Sequence, residues 1–414
     1  MKPVIFVPGF PASELRDVNT KATVFPPTLP TLIDPAKKAA YIQRLTKVPG
    51  DLEAGPPIKD ILGVAKQAQS LYDILGGKFQ YDTSPLSNDF AAIGWDWRLS
   101  IAHKTVMEKM AAEVSRLSTG GRKIVAIVHS TGGLVFRAFL EARPDLLSRF
   151  EQVMAFGVPW NGTLEALHAM TVGESTGFLF ARITAEQGAA LISHAQAAYE
   201  LLPPEFLVDQ SWIPADAAHD YMRQLVATSH VPFPQVFDDL PMMNVCGWGV
   251  RTWKSTAWDE DKDVGDGTVP VASSSWIEGA NVRTKFLPIG AYASANTPYP
   301  HMRIWDSPPV LQVFEEVLHD APVSPFLCAC ADSDDYIDYN KDVDVRFSSD
   351  IPCNVTADLD GSHVAVAMNA EGRGAFLLKR DGITHNVDND IYRFAVTFRW
   401  NGGQASRAVL IKSV

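Results

Sequence analysis

Short runs of apolar residues alternate with segments of helical periodicity along most of the chain. PVIFV (residues 3–7) and KIVAIV (residues 123–128) are continuous apolar stretches bounded by glycine, proline or polar residues. Runs of this kind are typical of strands buried on both faces, as in a parallel sheet covered by helices. We therefore expect both segments to be strands of such a sheet.

Helices are predicted between and after these strands. Residues 103–118 carry apolar side chains at spacings of four, four and three, which places Val106, Met110, Val114 and Leu117 on one helical face. A second helix is predicted in GLVFRAFLEARPD, ending near Pro144. Further strands are predicted in FEQVMAFGVP, NVCGWGV and RTKFLPIG. Alternating strands and helices indicate an α/β domain with a mostly parallel sheet.

Two long segments interrupt the alternation. Residues 11 to about 70 are rich in proline and lysine with weak periodicity, and residues 164 to about 240 are mostly helical and apolar. Insertions that follow strand C-terminal ends lie over the crevice where ligands bind in this architecture. Both segments are therefore candidates for a lid or cap and for an acyl-chain pocket. The alternative is that they add packing layers without contacting a ligand.

The pattern changes from about Pro322. Alternate positions of IYRFAVTFRW are aromatic or apolar, namely Tyr392, Phe394, Val396, Phe398 and Trp400. Turn signals recur at Asp360-Gly361, Glu371-Gly372, Asp381-Gly382 and Asn401-Gly402. Short alternating strands with glycine turns predict a small all-β sandwich of immunoglobulin-like type over residues 322–414. Residues 1–320 are predicted to form the larger α/β domain.

Composition narrows the class of protein. The 414 residues are 46% hydrophobic and 20% charged, as in ordinary globular proteins. With 36 basic against 48 acidic residues, the net charge of −12 argues against a general affinity for nucleic acid or anionic membranes. Four cysteines are too few for a disulfide scaffold, so buried thiols are expected, with one bridge to Cys353 left open.

The N-terminal residues MKPVIFVPGF lack the basic, apolar and cleavage regions of a secretory signal. No apolar run reaches the length of a membrane span. The expectation is a soluble protein, cytoplasmic unless a signal has been removed, with peripheral contact to a lipid surface left open. No pattern indicates an oligomeric state.

Ser130 stands where the strand predicted at KIVAIV turns into the next helix, in the sequence HSTGG. A nucleophilic serine needs an exposed hydroxyl, a neighbouring base and backbone N–H groups that face the developing oxyanion. A strand-to-helix elbow exposes the side chain and directs the next N–H group inward, and its tight turn favours small neighbours such as Gly132 and Gly133. Val128 replaces the usual first glycine of the G-x-S-x-G pattern.

Three further segments support this chemistry. VPGFPAS directly follows a strand and offers a second backbone donor; DVGDGTVP holds Asp266 between two glycines; and NTPYPHMRIW carries His301 on a proline-rich loop. The chain order Ser130, Asp266, His301 is that of the α/β-hydrolases.

The sequence resembles the lecithin:cholesterol acyltransferase family of α/β-hydrolases, which includes lysosomal phospholipase A2 and phospholipid:diacylglycerol acyltransferase. The matching segments occur in the family's order over roughly residues 3 to 310. They are PVIFVPGFPASEL, GPPIKDILG with YDILGG after it, GWDWRLS, IVHSTGGLVFRAFL, FGVPWNGT, YELLPPEF, GWGVRT, GDGTVPVASS and the His301 loop. The predicted C-terminal sandwich is not part of this pattern.

The resemblance implies residue roles. Ser130 matches the nucleophile, Asp266 the acid and His301 the base, while the backbone N–H groups of Phe10 and Thr131 match the oxyanion donors. Asp96-Trp97-Arg98 matches the D-W-R signature, in which we read Asp96 and Arg98 as structural. Trp97 and Trp160 are candidates for the pocket wall, with core packing equally open for Trp160. No equivalent of the cysteine-closed lid of the secreted animal enzymes is evident.

These assignments predict acyl transfer from a lipid ester, through an acyl-enzyme, to water or to an alcohol acceptor. The first outcome is that of a lipase or phospholipase A, and the second is that of an O-acyltransferase. No metal or organic cofactor and no nucleic acid partner is called for. Two alternatives stay open, a small-ester or lactone hydrolase and a non-catalytic binding protein on the same fold.

Overall fold

A computed structural model describes residues 1–48, 50–59, 68–173, 176–178, 181–229, 237, 239–277, 279–289, 300–331, 342–359, 362–379, 387–388 and 391–412. The predicted turns at Asp360-Gly361 and Asp381-Gly382 lie outside these ranges, as does the start of the His301 loop. Among the described residues, no helix combines the length and the apolarity that crossing a membrane requires.

Strands and helices follow one another through most of the chain. The strands are β1 (Val4–Val7), β2 (Ser13–Asp17), β3 (Thr23–Phe25), β4 (Leu52–Pro57), β5 (Phe90–Ala92), β6 (Ile124–His129), β7 (Phe150–Phe156), β8 (Thr176–Phe178), β9 (Ala181–Ile183), β10 (Met242–Trp248), β11 (Val250–Trp253), β12 (Glu260–Gly265), β13 (Val282–Pro288), β14 (Leu327–Ala331), β15 (Val343–Ser349), β16 (Asn354–Leu359), β17 (Ser362–Val366), β18 (Arg373–Leu378), β19 (Val387–Asp388), β20 (Ile391–Trp400) and β21 (Gly403–Lys412). The α-helices are α1 (Leu29–Ile33), α2 (Pro35–Thr46), α3 (Gln69–Asp73), α4 (Lys104–Leu117), α5 (Thr131–Ala142), α6 (Leu164–Thr171), α7 (Ala185–Ser193), α8 (Gln196–Tyr199), α9 (Pro204–Val208), α10 (Asp220–Ala227), α11 (Val271–Ser274) and α12 (Pro308–Leu318). A π-helix (Ile74–Lys78) and short 3₁₀ turns, including Pro144–Arg149 and Pro300–Asp306, complete the described elements.

The chain divides into two compact units. The first unit comprises Met1–Met242 with Ala272–Val282, and the second comprises Met243–Val271 with Arg283–Val414. The predicted change of character near Pro322 falls inside the second unit. The domain limits 1–320 and 322–414 therefore remain predictions.

Four parallel strands form the centre of the first unit, in the order β7-β6-β1-β5. Every residue of β1 and β6 is buried, as expected for strands whose continuous apolar runs are covered on both faces. The helix predicted at residues 103–118 is α4, and it buries Val106, Met110, Val114 and Leu117 as predicted. This is a mostly parallel sheet accompanied by helices, and the α/β class predicted for this part of the chain is confirmed.

Both insertions of the first unit are structured. The described residues between 11 and 70 include an antiparallel sheet of order β3-β2-β4 and the helices α1 and α2. Arg44 of α2 holds this segment together, since its guanidinium pairs with Asp17 of β2 and, at 2.6 Å, with Asp51. The described residues between 164 and 240 are mostly helical, as predicted, and form α6 to α10 and the β8-β9 hairpin.

Antiparallel strands dominate the C-terminal part of the second unit. One sheet has the order β14-β15-β18, and the other has β17-β16-β20-β19 with β21 beside β20. Residues of both sheets share one hydrophobic core, in which the ring centroids of Phe347 and Phe398 lie 6.4 Å apart. Phe394, Val396 and Phe398 are buried, which confirms the alternation predicted for this part of β20.

Within the second unit, β13 is tied to the C-terminal strands by buried polar groups. Lys285 Nζ lies 3.0 Å from Asp350 Oδ2 and 3.7 Å from Glu316 Oε2, and only 1% of its side chain is exposed. The Arg373 guanidinium lies 5.3 Å from the ring centre of Trp248 and 5.1 Å from that of Phe286. All four cysteines are free thiols. The disulfide considered for Cys353 in the sequence analysis therefore does not form.

Candidate active site

Ser130 occupies a sharp turn between β6 and α5. Its backbone dihedrals, φ 53° and ψ −133°, lie in a region that residues other than glycine rarely adopt. Such strain costs on the order of 1–3 kcal/mol and persists only where the surroundings impose it. Here the Ser130 N–H donates to Phe156 O at 3.0 Å, and the Ser130 carbonyl accepts from Gly133 N at 3.0 Å.

Glycines permit the close packing that imposes this turn. A Cβ atom added to Gly132 would lie 2.1 Å from Val7 O, and one added to Gly133 would lie 2.4 Å from Val158 Cγ1. The start of α5 therefore presses directly on the end of β1. Val128, which replaces the usual first glycine, is fully buried in β6. The tight contact with Ser130 is made by Gly9, whose added Cβ would lie 2.7 Å from Ser130 Cβ.

The turn that carries Phe10 is held by two indole rings. Trp95 Nε1 donates to Pro8 O at 3.0 Å, and the Trp97 ring packs edge-on against Phe10 with centroids 5.5 Å apart. Trp97 Nε1 also donates to Ser13 O at 3.3 Å. Trp97 is thus a buried support of the turn that precedes β2.

Asp96 and Arg98 form a buried, two-point ion pair. Arg98 Nε and Nη2 donate to the two carboxylate oxygens of Asp96 at 2.9 and 2.7 Å. Both side chains are almost fully enclosed, which agrees with a structural role for this pair.

Glu200 anchors the same loop to the helical insertion, and sequence reasoning did not single it out. Its Oε1 accepts from Ser100 Oγ at 2.7 Å and its Oε2 accepts from Ile101 N at 2.7 Å. Gln196 of α8 adds a backbone bond, N–H to Arg98 O, at 2.8 Å. The available signal was the first of the two acids in the YELLPPEF motif, since an acid is unusual within so apolar a segment.

Asp266 and His301 form a buried hydrogen-bonded pair in the second unit. Asp266 Oδ2 lies 2.6 Å from His301 Nδ1, and the two residues are 1% and 4% exposed. Asp266 Oδ1 accepts from the backbone N–H groups of Thr268 and Val269 at 3.0 and 2.8 Å. With Nδ1 donating to the carboxylate, the neutral ring carries its lone pair on Nε2.

The turn around Asp266 depends on Thr252, which the sequence did not single out either. Gly267 adopts φ 97°, a value that favours glycine, and its N–H donates to Thr252 Oγ1 at 2.9 Å. A Cβ added to Gly247 would lie 2.8 Å from Asp266 Cβ. Thr252 and Gly247 belong to the GWGVRT segment, so the only signal available was that motif.

Trp160 lies in the interior of the first unit. Its ring packs edge-on against Phe237 at 5.4 Å and lies 5.8 Å from the Arg137 guanidinium carbon. The residue is 3% exposed. These contacts are those of core packing, and a role in lining a pocket stays a proposal.

The lecithin:cholesterol acyltransferase family model matches residues 85–285 of the chain. The predicted family resemblance is confirmed. The matched segment covers a little under half of the chain and includes Ser130 and Asp266, whereas Phe10 and His301 lie outside it. Lipid esters are the substrates that this resemblance implies in general terms.

Solved structures show weaker likeness, and no curated protein matches the chain. The mature lipase BlEst2 of Bacillus licheniformis is 13% identical, with 77% of this chain and 91% of that chain covered and a TM-score of 0.36. Phospholipase PlaB from Legionella pneumophila is 12% identical, with coverage of 98% and 88% and a TM-score of 0.36. At these values the likeness carries no inference about the chemistry of this chain.

Proposed function

We propose that the protein is a serine acyl-transfer enzyme acting on lipid esters, with Ser130 as nucleophile, His301 as base and Asp266 as the acid that orients the base. The observation that carries the proposal is the buried 2.6 Å hydrogen bond between Asp266 and His301. A carboxylate on Nδ1 fixes the tautomer in which Nε2 accepts a proton, and this is the role of the histidine in a serine triad.

The reaction proceeds in two halves. His301 Nε2 takes the proton of Ser130 Oγ as Oγ bonds the ester carbonyl carbon, and the carbonyl oxygen receives the displaced electron pair. The intermediate collapses, the bond to the leaving alcohol breaks, and His301 returns the proton to that alcohol. The acyl group then passes from Ser130 to water or to a second alcohol by the same steps in reverse order.

Backbone N–H groups of Phe10 and Thr131 stabilise the oxyanion. Two observations support this pair: the Gly9 turn lies against Ser130, and Thr131 is the first residue of α5. Removing one donor of this kind lowers kcat by about 10²- to 10³-fold in a serine hydrolase.

Acyl chains would be held by the apolar helical insertion at 164–240, with Trp97 and Trp160 as walls. The insertion supports a long-chain substrate because it supplies apolar helices next to the D-W-R loop through Glu200 and Gln196. The choice between hydrolysis and transfer depends on how well water is excluded and an acceptor alcohol is bound.

Labelling by a fluorophosphonate probe tests the nucleophile. The wild type should be labelled at Ser130, Ser130→Ala should not be labelled, and His301→Gln should react far more slowly. Ser307→Ala, a buried serine outside the proposed triad, is the matched control and should be labelled like the wild type. An unlabelled wild type would favour the non-catalytic binding protein instead.

Product analysis separates the substrate classes. Purified protein is given a long-chain phospholipid or triacylglycerol with and without a long-chain alcohol, and the lipids are identified by mass spectrometry. Fatty acid alone indicates a lipase or phospholipase, and a new ester indicates an acyltransferase. Activity confined to p-nitrophenyl acetate within a series of rising chain length would assign a small-ester hydrolase instead.

A further inference from the structure

The side-chain hydroxyl of Thr131 is buried next to the proposed nucleophile. Thr131 is the first residue of α5 and is 1% exposed. Within the part of the chain that the structure describes, its Oγ1 has no hydrogen-bond partner. Burial of a hydroxyl without a partner costs free energy, and such a group in a native structure calls for an explanation.

Several other buried serine and threonine hydroxyls among the described residues are hydrogen-bonded, although the Tyr41 phenol also lacks a partner. Ser13 Oγ accepts from Trp95 N at 3.1 Å, and Ser87 Oγ accepts from Phe90 N at 3.1 Å. Thr252 Oγ1 donates to Val250 O at 2.9 Å and accepts from Gly267 N. The Thr131 hydroxyl therefore differs from these three because it has no partner. Packing alone does not require a hydroxyl at this position, since valine has almost the same shape.

The position of Thr131 offers the explanation. Its backbone N–H is already a proposed oxyanion donor, and the N and Oγ1 atoms of one residue are close enough to share a single acceptor. The close packing of Gly132 on Val7 O fixes the start of α5, so the backbone that carries the hydroxyl is held in place before a substrate binds. Preorganised donors of this kind are the effective ones, because they need no rearrangement during the reaction.

We propose that the Thr131 hydroxyl is a third hydrogen-bond donor to the oxyanion. The inference rests on the proposed function. As Ser130 Oγ bonds the carbonyl carbon, its proton moves to His301 Nε2 and the C=O π pair moves onto oxygen. Thr131 Oγ1–H donates to that oxygen without losing its proton, and the bond weakens again when the carbonyl re-forms.

The test compares Thr131→Val, Thr131→Ser and Thr131→Ala with the wild type, using p-nitrophenyl octanoate as the probe. All three variants keep the backbone N–H, but only the serine variant keeps a hydroxyl. Thr131→Val should lower kcat by about 10- to 100-fold, with KM within about twofold, because the donor acts in the transition state. Thr131→Ser should stay within about threefold of the wild-type kcat. Thr131→Ala also lacks the hydroxyl, so the test does not depend on one variant folding.

Thermal unfolding supplies an independent readout. Thr131→Val should keep or raise the melting temperature, since it removes an unsatisfied buried group. Thr252→Val is the matched control, because Thr252 is 2% exposed and hydrogen-bonded, and it should lower the melting temperature.

Two results would overturn the inference alone. One is a Thr131→Val enzyme with a kcat within twofold of the wild type; the other is a Thr131→Ser enzyme that loses as much activity as Thr131→Val. In both cases fluorophosphonate would still label Ser130 in the wild type. Absence of that labelling would instead overturn the proposed function together with this inference.

Discussion

Asp266 Oδ2 lies 2.6 Å from Nδ1 of His301, while Asp266 Oδ1 accepts two backbone N–H groups. The two carboxylate oxygens are therefore committed to different partners. This asymmetry determines how an amide would sit at the same position.

Asp266→Asn should lower kcat by about 10³- to 10⁴-fold with little loss of stability. The amide oxygen would still accept hydrogen bonds from the N–H groups of Thr268 and Val269. The amide NH₂ would therefore face His301. The imidazole would then accept at Nδ1 and carry its proton on Nε2, where it cannot act as a base. Saturating kinetics with a p-nitrophenyl ester measure the effect.

Asp259→Asn is the control for that variant. Asp259 lies close in sequence but is exposed and bonded to Ser255 Oγ at 3.1 Å, so its replacement should leave kcat unchanged. A kcat for Asp266→Asn within tenfold of the wild type would contradict the assigned role of the acid.

Gly133→Ala should destabilise the fold by about 1–3 kcal/mol, because the added Cβ would lie 2.4 Å from Val158 Cγ1. Val158→Ala removes the clashing methyl groups, so the double variant should lose less than the sum of the two single losses. Urea unfolding of the four proteins gives the coupling energy.

Gly132→Ala provides the contrast, since its Cβ would meet the main-chain oxygen of Val7 at 2.1 Å. Trimming Val158 cannot relieve that contact. Equal rescue of both alanine variants by Val158→Ala would show that side-chain crowding is not what limits position 133.

Glu200→Gln should cost about 1–3 kcal/mol of unfolding free energy, because the amide NH₂ would face one of the two donors that Glu200 now accepts from. Ser100→Ala removes only one donor and leaves the carboxylate on Ile101 N, so its loss should be smaller. Urea unfolding ranks the two variants, and the reverse ranking would contradict the anchoring role of Glu200.

Acid should weaken the packing of α2 on β2. Backbone and side-chain hydrogen bonds from Thr20, with Arg44, hold the pKa of Asp17 far below its ordinary value of about 3.9, and Arg44 is the main cause of a lowered pKa at Asp51. Carboxyls with lowered folded-state pKa values add stability above the unfolded-state pKa and lose it as pH falls through the folded-state pKa.

Arg44→Gln should therefore be less stable than the wild type at pH 7, and the gap should begin to narrow as the pH falls below about 4, toward the low folded-state pKa of Asp17. Unfolding free energies measured in urea from pH 7 to pH 3 test this expectation. A gap that stays constant with pH would show that Arg44 acts through packing of its aliphatic stem.

Local periodicity was enough to predict the elements of the α/β core. The continuous apolar runs at β1 and β6 belong to strands that are buried along their whole length. The spacing of Val106, Met110 and Val114 marks the buried face of α4. The sheet of β2, β3 and β4 escaped prediction because its pairings shift register at Leu15. Such irregularities erase the period of two on which strand prediction depends.

In the candidate site too, some residues could be predicted from sequence and others could not. Asp266 and His301 could be selected from sequence because of the glycines beside Asp266, the order of the three candidate residues along the chain and the family motifs around them. Glu200 and Thr252 could not, since their partners lie at Ser100 and Gly267 and a contact between distant residues leaves no periodic trace. The hydroxyl of Thr131 likewise attracts notice only once its burial is known.

Lys285 has a consequence for how this chain can be recombined with others. The ammonium of a strand that precedes the His301 loop is neutralised by a carboxylate at position 350, far beyond the reach of the family match. A chain cut between these positions would lose the nearer carboxylate partner of a buried ammonium and keep only the more distant Glu316, at 3.7 Å. Exchange of the C-terminal strands should therefore destabilise β13 unless Lys285 is replaced by a neutral residue.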